Sequence, residues 1–216
     1  MERKGFIGGS DMYSIVRGDW NTLWHVKTGR TQPDNLSDEF NVQLGIRTES
    51  FNMEWLAKRT GWDVMISPAV MRKKISGVPY QARADGIAYD KDGIAMIVEC
   101  KHTASYRSMS DMLEAYLPQV HLYMRVHELQ KAVFSVIFGN LWEYCIVDFE
   151  EDYWKDVSTQ AYQFWQMVES DVEPVQNHAN KIDWSNVKID GLIKRDASKD
   201  NQFMDAAHRF VNYSQQ

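Results

Sequence analysis

Two cysteines in 216 residues, Cys100 and Cys145, are too few for a disulfide framework, a zinc finger or a four-cysteine iron–sulfur cluster. Both lie in apolar, strand-like runs. Long hydrophobic runs are missing too, so nothing has the length of a membrane span. Met1-Glu2-Arg3-Lys4-Gly5 is not followed by an apolar signal segment. The expectation is a cytoplasmic protein with no membrane partner. Positive charge is in deficit, with 24 Lys and Arg against 30 Asp and Glu, a net charge of −6. That argues against a general nucleic-acid coat protein. It leaves open an enzyme that meets nucleic acid in a local groove, for which Arg3/Lys4 and Arg72-Lys73-Lys74 are the basic spots.

What is present is an ordinary globular composition, 44% hydrophobic and 25% charged, and no internal repeat. We expect one domain over residues 1–216, with a core in 1–170 and a weakly patterned, polar extension in 171–216 that ends in a helix near 203–213. Gly5 to Asp11 reads as a glycine-rich turn entering a short helix, with Ser10 or Asp11 as N-cap. A second helix spans 20–27 and stops at Gly29, and 31–38 is loop. A longer helix runs from about Asn41 to Thr60, with Leu44, Phe51 and Trp55 on one face and Gly61 as its stop. Strands follow at 62–67, 78–89 and 94–101, the last two joined by the Asp90–Gly93 turn, with a basic loop at Arg72-Lys73-Lys74. Ser108 to Leu129 is helical in two pieces, because Pro118 suits a helix start. Strands 132–138 and 141–149 meet at Gly139-Asn140, and 153–168 is a strongly amphipathic helix. The sum is an α/β fold, a central mixed sheet flanked by helices.

Glu99-Cys100-Lys101 closes the apolar run 94–98. On a strand, Glu99 and Lys101 share one face and Cys100 takes the other. Asp85, in Arg83-Ala84-Asp85-Gly86, opens a neighbouring strand-like stretch. An Asp, a Glu and a Lys converging at a strand end have the makeup of a metal-dependent phosphodiester-cleaving site, because Mg²⁺ takes oxygen ligands and a lysine can position or deprotonate water. By themselves such residues are more often a solvated ion pair. Glu49 can be a solvated helix residue, and Gln119 and Tyr123, four apart, can simply bond to each other. His102 and His121 receive no role.

Five segments taken in order change that balance. Arg3 with Gly8-Gly9-Ser10-Asp11, Gly45 to Glu49, Asp85-Gly86, Glu99-Cys100-Lys101 and Gln119 to Tyr123 resemble the lambda-type phage exonucleases, or YqaJ-like viral recombinases, of the PD-(D/E)XK nuclease superfamily. The resemblance covers about residues 3–123. It implies Asp85, Glu99, the Cys100 carbonyl and Glu49 as ligands of Mg²⁺, two ions in all, with Mn²⁺ able to substitute. It implies Lys101 on the attacking water, Gln119 and Tyr123 as supports, and Arg3, Gly9 and Ser10 around a DNA 5′-phosphate. Arg83, Arg72, Lys73 and Lys74 are expected DNA contacts. The implied activity is 5′→3′ digestion of double-stranded DNA ends by a homotrimeric ring working beside a single-strand annealing protein. The many aromatics, Trp20, Trp24, Trp142 and Trp154 among them, are expected to exceed one core and to mark that interface. Two features depart from the family: Arg83-Ala84 stands where Ser-Pro is common, and the segment between Asp85 and Glu99 is long. The rival readings are a PD-(D/E)XK endonuclease and a silent DNA-binding subunit.

Overall fold

The computed structural model describes residues 4–66, 69–174 and 182–192. Arg3 and the helix expected near 203–213 lie outside them. The described residues form two sheets. The smaller has three strands in the order β1-β4-β3, and the larger six in the order β2-β5-β6-β7-β8-β9. Their elements are β1 (Ile7–Gly8), β2 (Asp63–Ile66), β3 (Met71–Ile75), β4 (Val78–Ala82), β5 (Gly86–Tyr89), β6 (Ala95–Thr103), β7 (Lys131–Phe138), β8 (Leu141–Asp148) and β9 (Ile189–Asp190). The helices are α1 (Gly9–Arg17), α2 (Trp20–Thr28), α3 (Phe40–Thr60), α4 (Met109–His127) and α5 (Glu151–Glu169).

Among the described strands of the large sheet, only β6 and β7 run parallel. That pair needs a crossover, and α4 supplies it. Side-chain alternation then divides the core. Ile97, Ala132, Phe134, Val136, Cys145 and Val147 face α1, α4 and α5 in the main cluster, while Met96, Val98, Cys100 and Val133 face α3 with Met53 and Leu56. The sheet is therefore mixed and covered on both sides, as expected from the order of elements.

Several local expectations are corrected. The basic run is not a loop: Arg72-Lys73-Lys74 lies in β3, which pairs with β4 through a two-residue turn at Ser76 (φ 50°) and Gly77 (φ 87°). Positive φ at both central positions is the hairpin turn whose twist matches its strands. Residues 78–89 form two strands in different sheets, not one. α4 passes through Pro118 unbroken, because Leu113, Leu117, Val120, Leu122 and Met124 bury on both sides of it and outweigh the lost bond. On α3 the buried residues are Asn52, Met53 and Leu56, whereas Phe51 is 54% exposed and Leu44 and Trp55 are half-buried. Trp20, Trp24 and Trp154 are buried in the main cluster, so they do not mark an interface. The chain beyond 171 also contributes to the fold, since β9 extends the sheet along β8 and Ile182 and Val187 join the core. No helix among the described residues is long and apolar enough to cross a membrane.

Candidate active site

β6 carries the centre of the site. Glu99 and Lys101 continue the row begun by Ile97 on the α4 face, and Cys100 turns toward α3. Lys101 Nζ donates to Glu99 Oε1 at 2.5 Å and sits 4.7 Å from the Tyr116 ring centre. From α4, Gln119 Nε2 donates to the same Oε1 at 2.5 Å and to the Tyr123 hydroxyl at 3.2 Å. One helical turn separates Gln119 from Tyr123, so both reach the site from one face. Glu99 is 1% exposed, and its Oε2 has no hydrogen-bond partner.

Asp85 comes from the link between β4 and β5. The β5–β6 ladder runs only as far as Gly86 opposite Val98. Two residues on, the Cys100 N–H has lost its strand partner, and Asp85 Oδ2 accepts it at 2.8 Å. A strand residue points its N–H and C=O to the same edge, so the Cys100 carbonyl lies on this edge too. Gly86 is required beside it, because a Cβ there would stand 2.7 Å from the Met65 carbonyl oxygen. Glu49, half-buried on α3, faces the same charges: Asp85 repels it while Arg83 and Lys101 attract it.

All three carboxyls are pushed upward. Burial takes Glu99 to about 8, with Lys101 opposing and Asp85 adding to the rise. Burial also raises Asp85 against Lys101, the Cys100 N–H and Arg83, and raises Glu49 with help from Asp85. Lys101 is held above its ordinary value, because the attraction of Glu99 and Asp85 outweighs the downward pull of burial. Three destabilised carboxyls, one oxygen without a partner and one carbonyl on a broken ladder fit a divalent cation. Among the described residues no three His, Cys, Asp or Glu side chains form a ready cage.

The start of α1 abuts this cluster. Gly8, not Ser10 or Asp11, is the N-cap. Asp11 Oδ2 instead accepts the Gly8 N–H at 2.7 Å and pairs with Lys27 Nζ at 2.5 Å, both side chains being at most 1% exposed. Gly9 is packed on Tyr123, where a Cβ would come within 2.7 Å of ring carbon Cζ. Gly9 is thus brought to the site's edge with Ser10 next in the helix, and Arg3 lies outside the described residues. Arg83 is exposed at the rim. Arg72 bonds Gln81, and Lys73 pairs with Glu128, so these basic side chains are partly engaged within the fold.

Beneath β6 lies a polar network that sequence reading missed. Asn52 Nδ2 donates to the carbonyls of Lys101 (3.3 Å) and Ser135 (3.0 Å), and Asn52 Oδ1 accepts from Ser135 Oγ (2.6 Å) and Trp142 Nε1 (3.1 Å). Its one sequence signal is that Asn52 follows Glu49 by three, on the stripe of α3 that faces the sheet. The buried Asp11–Lys27 pair was also unforeseen.

A family model for the YqaJ-like viral recombinase domain matches residues 1–130. The chain belongs to that family. Among solved structures it is similar to an alkaline exonuclease (LHK-Exo) from Laribacter hongkongensis, with 16% identity and a TM-score of 0.58 over 78% of this chain and 90% of that one. The same exonuclease in complex with dAMP gives a TM-score of 0.61 over the same shares at 16% identity. A phage-related exonuclease from Haemophilus somnus 129PT gives 0.59 at 9% identity, over 77% of this chain and 96% of that one. At such identities the likeness is one of fold. No curated protein sequence matches the chain significantly.

Proposed function

We propose that this YqaJ-like chain is a metal-dependent deoxyribonuclease, a 5′→3′ exonuclease that digests double-stranded DNA ends and leaves 3′ overhangs for recombination. The observation that carries this is the Glu99 cluster: a buried carboxylate with one oxygen fixed by Lys101 and Gln119 and the other unpaired, beside Asp85. Two of the proteins of like fold are exonucleases, one of them solved with dAMP.

Asp85, Glu99 and the Cys100 carbonyl would hold Mg²⁺ or Mn²⁺, with Glu49 and a second ion at the outer side. When bound, such ions activate water and neutralise the phosphoryl oxygens. The chain's own residues do the positioning. Gln119 and Lys101 fix Glu99 Oε1, Tyr123 braces Gln119, and Asn52 holds the Lys101 backbone. Lys101, kept cationic by its carboxylate neighbours, would donate to the attacking water and orient it. A 5′-phosphate would lie at the start of α1, near Gly9 and Ser10 with Arg3, and Arg83, Arg72, Lys73 and Lys74 would meet the backbone. A homotrimeric ring, a single-strand annealing partner and a cytoplasmic setting complete the reading.

The test uses linear duplexes with 5′-phosphate or 5′-hydroxyl ends beside a covalently closed plasmid, in Mg²⁺ or EDTA. Expected are Mg²⁺-dependent release of nucleotides from linear DNA, faster from 5′-phosphate ends, and an intact plasmid. A cut plasmid favours an endonuclease, and no release from linear DNA overturns the enzymatic reading. Light scattering at the trimer mass checks the ring.

A further inference from the structure

On the α3 face of the large sheet, five aromatic rings form an unbroken chain of contacts. Phe51 stacks on Trp55 at 6.1 Å between centres, Trp55 meets Trp142 at 6.5 Å, Trp142 stacks on Tyr144 at 5.2 Å, and Tyr144 meets Trp62 at 5.9 Å. None of the five is buried, and Phe51 is 54% exposed. Between α3 and the β7–β8 hairpin, three of these rings, Phe51, Trp55 and Trp142, line a groove of 620 Å³. In a chain of net charge −6, no Asp or Glu among the described residues lines that groove, whereas Arg59 and His102 do. Lys58 Nζ and the Arg59 guanidinium stand 5.3 and 6.0 Å from the Trp55 ring centre.

The groove also adjoins the site just described. Thr48 and His102, joined at 3.1 Å on its wall, are the chain neighbours of Glu49 and Lys101. Trp142 is tied through Asn52 to the Lys101 carbonyl.

We infer that this groove is a stacking site for the unpaired bases of single-stranded nucleic acid. Exposed rings take base faces irrespective of sequence, and cations over those rings meet the phosphates. A duplex hides its base faces, so the ligand is a single strand. An apolar protein partner would gain nothing from the cations, and an acidic one nothing from the row of rings. The inference rests on the nuclease reading for the origin of the strand. Its test is run without metal, so each can fail alone.

The full chain is titrated into fluorescein-labelled oligothymidylate in EDTA, and anisotropy is read at several salt concentrations. Phe51→Ala is expected to weaken binding about tenfold, since a base–aromatic stack contributes about 1–3 kcal/mol. Trp55→Leu should do the same by a second route, and Arg59→Gln should flatten the salt dependence. Phe51 is exposed, so the fold should survive; cooperative thermal unfolding of each variant verifies this. Unchanged affinity in both aromatic variants overturns the inference. So does unchanged affinity with a drop in mass by light scattering, which would make the face a contact between copies. Loss of cleavage in Asp85→Asn with oligothymidylate binding retained would support both readings separately.

Discussion

Glu99→Gln should make the metal-free protein more stable while removing its response to metal. Folding carries this carboxyl from 4.5 to about 8, because it is buried and Lys101 only partly compensates. A carboxyl raised on folding contributes stability that is fully present below its unfolded value, near pH 4.5, and is lost as pH rises through about 8. At 1.36 kcal/mol for each tenfold change, the metal-free fold loses roughly 4–5 kcal/mol across that window. Side-chain relaxation and water entry recover part of it, so about 2 kcal/mol or more should remain. For a chain of this size that corresponds to a rise of roughly 4–8 °C in Tm for the glutamine variant above pH 8. The amide keeps an acceptor for Lys101 and Gln119, and its NH₂ replaces an oxygen that already lacks a partner. The assay is thermal unfolding of both proteins in EDTA at pH 5.5, 7 and 8.5, then with Mg²⁺ added. Wild type should weaken with rising pH and be rescued by Mg²⁺, and Glu99→Gln should do neither. A variant less stable than wild type in EDTA at pH 8.5 would refute the reasoning.

Lys101→Ala should cut the single-turnover rate about 10²–10⁴-fold with little change in DNA affinity; a fall in affinity at constant rate makes Lys101 a phosphate anchor. Gly9→Ala should lower both stability and nuclease activity, because the new methyl group meets the Tyr123 ring, and overpacking costs about 1–3 kcal/mol. A stabilised Gly9→Ala would deny that close approach. His121 is fully buried, its Nδ1–H donating to the Leu117 carbonyl (3.0 Å) and its Nε2 accepting from the Glu150 N–H (3.3 Å), and burial lowers it to about 4. For this lowered group the neutral form's stability is present above pH 6.5 and is lost as pH falls toward 4, roughly 3 kcal/mol in all. His121→Phe should therefore move the acid limb of a pH–stability curve to lower pH, and an unmoved limb would mean another group governs it.

Reading from sequence succeeded where one residue type answers one local demand. Gly29 and Gly61 end their helices in the left-handed region, and the apolar run before Glu99 had to be a central strand. It failed where packing overrides a local rule. Pro118 argued for a break that the buried flanks of α4 overrule. Phe51 and Trp55 outshone the smaller Asn52, Met53 and Leu56, although the latter face the sheet. β3 lacks period-two alternation, and only Ser76-Gly77 hinted at its hairpin. The site motifs were legible as a set, but the partners that hold them, Asn52 with Ser135 and Trp142, and Lys27 with Asp11, lie in other segments. No spacing rule connects those.

The site's position follows from the way the two sheets part. β4 belongs to the small sheet and β5 to the large one, and Arg83-Ala84-Asp85 is the three-residue passage between them. Had the chain continued straight as one strand, its backbone would have met the Cys100 N–H and closed the ladder. Because it turns away, that N–H needs another acceptor, and the Asp85 carboxylate supplies it. The same divergence leaves the Cys100 carbonyl on an open edge, one residue from a carboxylate that the strand's alternation has turned into the interior. A backbone acceptor, two carboxylates and a lysine thus gather because a β-ladder stops early. A change that let β5 extend along β6 past Gly86 should therefore silence the site without touching a single charged residue. Asp85→Val tests only the loss of the proposed ligand; inserting one residue after Ala84, which moves Asp85 off Cys100, tests the register itself. If the insertion folds and still cleaves DNA in Mg²⁺, the broken ladder is not what makes this site.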